Sequence, residues 1–103
     1  MKELQKRIKI FCKENNLESP PEHRLLDVMS ELGEVAKEVL KMSDYGRKSI
    51  QYSENLKSEL GDLFYSLITV ANSFDIDLEE CLNDALEKYK KRLEKGSPGS
   101  DKS

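Results

Sequence analysis

Two short acidic turns, Glu31-Leu-Gly-Glu34 and Glu59-Leu-Gly-Asp62, carry the residues of this chain best suited to chemistry. Residues three apart share one face of a helix, so each turn projects two carboxylates in one direction. Two helices meeting on those faces would gather four carboxylates into one small volume. Such crowding needs cations to neutralise it, or protons held by some of the groups. Carboxylate oxygens suit hard divalent ions, Mg²⁺ or Mn²⁺, whose shells are completed by water and substrate phosphates. The same ions can activate water and stabilise charge in phosphoryl transfer. A di-iron bundle would require Glu-x-x-His on paired helices. Here the third residues after Glu31 and Glu59 are Glu34 and Asp62, and the one histidine is His23, which argues against iron or zinc.

The elements that must position these acids read as four helices. Leu4, Ile8, Phe11 and Cys12 mark an amphipathic first helix over residues 2–14, broken by Asn15-Asn16 and Pro20-Pro21. A second helix starts at Ser19 or the prolines and runs to about Met42. Leu25, Leu26, Met29, Leu32, Ala36, Val39 and Leu40 give it an apolar face of period 3.6. Its other side carries Asp27, Glu31, Glu34 and Glu38. Asp27–Glu31 and Glu34–Glu38 are like-charge pairs four apart, each costing a few tenths of a kcal/mol, with no cation inside the stripe.

Residues 43–49 form a polar connection holding Arg47 and Lys48, which composition reads as an ordinary surface loop. A third helix over about Ser53–Phe74 is apolar around nearly half its circumference, so it is central to the fold or shared with a second subunit. Glu59 and Asp62 border that face, and Ser66, Thr69 and Ser73 continue their stripe. Asp77-Leu78-Glu79-Glu80 has capping-box spacing, with Asp at the cap. The fourth helix runs to about Lys95, with Leu78, Cys81, Leu82, Ala85, Leu86, Tyr89 and Leu93 expected inward. Lys88 and Arg92 fall on its inward edge, where they either snorkel past the core or meet phosphate. Residues 96–103 read as a flexible tail, leaving 1–95 as a single all-α domain.

Composition narrows the classes further. A net charge of −3 lacks the basic footprint of a nucleic-acid binder. No apolar run exceeds three residues, which excludes a membrane-spanning helix. Cys12 and Cys81, without CxxC spacing or a secretory signal, read as reduced, buried thiols of a cytoplasmic protein.

The doubled, ordered pattern Glu31-x-x-Glu34 … Glu59-x-x-Asp62 resembles the signature of the MazG-like all-α nucleoside triphosphate pyrophosphohydrolases. Residues 30–38, 59–65 and 76–80 match that family's phrasing, and the resemblance covers roughly residues 22–92. It implies a four-helix MazG-like bundle completed by dimerisation, sometimes with dimers paired into tetramers. It further implies hydrolysis of an NTP or dNTP to the monophosphate and pyrophosphate through water activated by Mg²⁺. By position, Glu31, Glu34, Glu59 and Asp62 would be the catalytic, metal-binding acids, and one glutamate could instead activate the water. Lys88 and Arg92 fall where the family often places a basic pair. The chain lacks the Trp and the His-Thr-Pro-like stretch of several branches. A phosphoribosyl-ATP pyrophosphatase-like enzyme and a non-catalytic helical interaction module are the competing expectations.

Overall fold

A computed structural model describes residues 1–96, so the expected tail lies, apart from Gly96, outside the described residues. The described chain is four helices: α1 (Lys2–Glu14), α2 (Pro21–Met42), α3 (Glu54–Ser73) and α4 (Leu78–Glu94). Local chemistry accounts for where they start. Pro21 opens α2, where a residue without an N–H loses nothing. Ser53 caps α3 by accepting a hydrogen bond from the Asn55 N–H at 3.2 Å. Asp77 caps α4, its Oδ1 accepting from the N–H groups of Glu79 and Glu80 at 2.8 and 3.3 Å.

The packing is centred on α3, which lies along α2 and across α1, whereas α4 touches the other helices only marginally. Along α2 the partly or fully buried line is Arg24, Val28, Glu31, Val35, Glu38 and Met42. Along α3 the inward residues include Leu56, Glu59, Leu63, Ser66, Thr69 and Val70. The polar stripe of α3 therefore turns toward its own chain, with Ser66 and Thr69 buried, while Leu60, Phe64 and Leu67 face out. Most of the apolar face of α2 is exposed as well, including Leu25, Leu26, Met29 and Leu32.

Two expectations are corrected here. The apolar face of α4 is not inward within one chain: no residue of α4 is buried, and Leu82, Leu86 and Leu93 are exposed. Cys12 is buried, its Sγ 3.2 Å from the Tyr65 hydroxyl, but Cys81 is exposed because it rides on α4. The buried apolar residues among those described are Cys12, Ile68 and Ala71. A small domain buries a smaller share of its surface than a large one, and this core is correspondingly thin.

Gln5 supplies a polar lock that hydrophobic periodicity does not reveal. Its Nε2 donates to Ile76 O at 2.7 Å and Asn72 Oδ1 at 3.2 Å, and its Oε1 accepts from the Leu78 N–H at 2.8 Å. Asn72 Nδ2 answers by donating to Gln5 O at 2.9 Å. One buried amide thus ties α1 to the end of α3 and the start of α4. Gln5→Ala strands part-buried partners, which typically costs about 1–3 kcal/mol each. Thermal unfolding should show a loss of about 3 kcal/mol or more on that basis, and an unchanged melt would remove the lock.

The α2–α3 connection is an ordered turn. Asp44, Tyr45 and Gly46 adopt φ of 48°, 58° and 89° in succession. A tyrosine in the left-handed region is uncommon, and such backbone strain costs on the order of 1–3 kcal/mol.

Candidate metal centre

The antiparallel run of α3 along α2 brings the two acidic turns together. One carboxylate oxygen each from Glu31, Glu59 and Asp62 lies within 4.8 Å of the other two. Glu31 and Glu59 are half-buried between the helices, and Asp62 is exposed at the rim. Glu34, the fourth acid of the doubled motif, is exposed and outside this group of three. It still acts on the site electrically. Partial burial is the largest cause raising the Glu59 carboxyl above its ordinary value, followed by the negative charges of Glu34, Asp62, Glu31 and Glu38.

Glu38 is the member that the motif spacing passes over. It lies seven residues after Glu31, which on a helix is nearly the same angular position, and it is half-buried where Glu34 is not. The i,i+7 relation within the acidic stripe is the sequence signal for it.

The donor set fits a hard divalent cation. All the candidate donor atoms are carboxylate oxygens, whose mutual repulsion positive charge would relieve. Ligands of Mg²⁺ at about 2.1 Å lie no more than about 4.2 Å apart, so a small rotamer adjustment brings the three oxygens into one shell.

The direction of the Glu59 shift carries a pH dependence. Its folded, metal-free value is raised above the unfolded one, so the fold gains from protonation at low pH and loses that gain as pH rises through the raised value. Protons and Mg²⁺ compete for the same oxygens. Mg²⁺ affinity should therefore fall as pH descends through the carboxylate range, while the metal-free protein becomes more resistant to heat. Titrating Mg²⁺ at descending pH tests both signs, and an affinity flat across that range would contradict them.

Lys88 and Arg92 lie on α4, which touches the helices that carry the acids only marginally. Both flank the Tyr89 ring on α4, with Lys88 Nζ 5.8 Å and Arg92 Cζ 5.6 Å from its centroid. Neither is among the charges that act on Glu59.

Comparison with known proteins gives a consistent set of relatives. A family model described as the MazG nucleotide pyrophosphohydrolase domain matches residues 20–97. The chain is 35% identical over 63 residues to protein YpjD of Bacillus subtilis (strain 168), covering 60% of this chain and 57% of that protein. The match thus spans little more than half the length of that relative. Among solved structures, the crystal structure of YpjD from B. subtilis superposes with a TM-score of 0.73 at 29% identity, covering 89% of this chain and 94% of the other. The crystal structure of the Bacillus-conserved MazG protein, a nucleotide pyrophosphohydrolase, gives a TM-score of 0.71 at 29% identity, covering 85% and 86%.

Proposed function

Because the chain belongs to the MazG nucleotide pyrophosphohydrolase domain family, hydrolases acting on phosphoric anhydride bonds, we propose that it converts a nucleoside or deoxynucleoside triphosphate to the monophosphate and pyrophosphate. The observation that carries this reading is the convergence of Glu31, Glu59 and Asp62 between α2 and α3. In it, those three acids hold Mg²⁺, or Mn²⁺ in its place. When bound, the ion supplies charge neutralisation at the phosphates and a water of lowered pKa. The chain's own residues do the rest. Glu31 and Glu59 fix the site from two helices, and Asp62 opens it to solvent at the rim. Glu34, exposed beside the group and outside the three donors, is the candidate to accept a proton from that water.

The working unit in this reading is a homodimer or a dimer of dimers. Exposed Leu82, Leu86 and Leu93 on α4, with Leu60, Phe64 and Leu67 on α3, are the apolar surface that a second copy would cover. Gly33 and Gly61 support it. Each sits inside a helix, where Gly costs about 1 kcal/mol relative to Ala. Nothing in the chain lies within 4 Å of where a Cβ would be, so room for a partner's approach is a reason for both. Lys88 and Arg92 would then reach substrate phosphate across the interface, Arg bidentately and Lys as a point charge. Obligate dimers of this kind bury upwards of about 2,000 Å².

A screen of nucleoside triphosphates for pyrophosphate release, with Mg²⁺ and with Mn²⁺, tests the reading. At least one should turn over with either ion and none in chelator. Release of orthophosphate alone, or turnover unaffected by chelator, would overturn it.

A further inference from the structure

Next to the acid group, where α2 ends and α3 begins, lies a cavity of about 310 Å³ that the sequence pattern does not announce. Glu38, Lys41, Asp44, Lys48, Tyr52 and Ser53 are among the residues that line it. Its volume is near the lower end of the range of small-ligand sites, about 300–1,000 Å³. Glu38 joins it to the acid group, since the same carboxylate acts on Glu59.

Three features give it a ligand chemistry. Two lysines from different parts of the chain face one space, and among the described residues neither they nor Glu38 and Asp44 form an ion pair. Their positive charge is available to something that enters. Second, the amino end of α3 opens at the cavity through its cap residue Ser53, adding the positive end of a helix dipole. Third, the turn that carries Lys48 there is held in its left-handed course. The Tyr45 N–H donates to Leu40 O at 2.7 Å, the Lys48 N–H to Ser43 O at 3.0 Å and the Gln51 N–H to Met42 O at 2.9 Å. Strained backbone pinned by hydrogen bonds is a recurrent feature of ligand clamps. The ligand is thus a polyanion. The two acids at the edge make a bare polyanion a poorer guest than one carrying a divalent cation.

We propose that this cavity binds the terminal diphosphate of a nucleoside triphosphate, the portion that leaves as pyrophosphate, through Lys41 and Lys48. The proposal deepens the activity proposed above and rests on it for the identity of the polyanion. It sets the substrate along α2, with the scissile anhydride at the acids and the leaving group toward the α2–α3 turn.

Titration of pyrophosphate in Mg²⁺-containing buffer, followed by calorimetry, tests the site without turnover. The wild type should bind saturably, and K41Q/K48Q should bind about tenfold more weakly or worse. Lys13→Gln on α1 is the control and should match the wild type. K41R/K48R, which keeps both charges, should retain most of the affinity, and circular dichroism should show all variants folded. Equal affinity in wild type and K41Q/K48Q, or no saturable binding to wild type, would overturn the site. The two readings fail separately. Pyrophosphate bound through these lysines by a protein that cleaves no triphosphate removes the activity and leaves the cavity. Turnover with lysine-independent pyrophosphate binding does the reverse.

Discussion

Asp62→Asn is expected to remove most pyrophosphate release while leaving the metal-free protein at least as stable as the wild type. The two effects have opposite signs because one charge serves two balances. Without metal, the Asp62 carboxylate is one of four that push Glu59 toward its protonated form, so its removal relieves repulsion. With metal, it is one of the three oxygen donors within 4.8 Å of one another. An amide in its place weakens the hold on the ion, and charge neutralisation and water activation weaken with it. A loss of about 10²–10³-fold in kcat/KM is the expected scale when a transition-state charge partner is removed. Asp27→Asn is the suitable control. It carries a charge on α2, in the same stripe as Glu31, but it is exposed and is not among the groups that act on Glu59. Glu38 shares the stripe, yet it is half-buried and acts on Glu59, so a change there is not expected to be neutral. Asp62→Asn activity close to wild type would remove Asp62 from the site.

The second large effect is expected from Leu86→Lys. Leu86 is 56% exposed in the single chain and sits in the middle of the apolar face of α4. A monomer with α4 left as it is would tolerate the lysine, because nothing of its own chain is displaced. In an assembly that buries this face, a charge at its centre disrupts a hot spot whose loss typically costs about 2 kcal/mol or more. That corresponds to roughly a 30-fold or greater rise in the dissociation constant. Sedimentation velocity should show the wild type above the 11.8 kDa monomer at micromolar concentration and the variant shifted toward it. Hydrolysis should fall in parallel if Lys88 and Arg92 act across the interface. Arg92→Ala separates the two roles, since it should alter KM or kcat without changing the sedimentation. A wild-type monomer with full activity would contradict this part of the account.

Much of the fold was legible because its boundaries are chemical. The Pro20-Pro21 pair, Ser53 and Asp77 mark helix starts by side-chain and backbone properties that act within a few residues. The doubled acidic motif was legible for a similar reason, since three-residue spacing fixes a shared face wherever the helix packs. What stayed hidden depends on which faces meet. Periodicity shows that α3 has a polar stripe and a broad apolar face, but burial of Ser66 and Thr69 against the chain's own helices follows from the course of α2 and α1. The same ambiguity hid the exposure of Cys81 and the outward turn of Leu82, Leu86 and Leu93. Glu34 and Glu38 differ in burial because α3 crosses α2 on the side nearer Glu31 and Glu38, which spacing alone does not decide. The Gln5 lock was hidden because a lone polar residue in an amphipathic helix reads as solvated until its partners from α3 and α4 are placed.

The acid group between α2 and α3 is the centre of the account, and the Mg²⁺ dependence of thermal stability reads it most directly. Ligand linkage sets the scale, about 2.7 kcal/mol of added stability at one hundred times Kd. Wild type and Asp27→Asn should both rise with Mg²⁺ along the same curve. Asp62→Asn should start level or higher without metal and gain little over the same range. Three superimposable, Mg²⁺-independent melting curves would mean that these carboxylates are solvated surface charge and hold no ion.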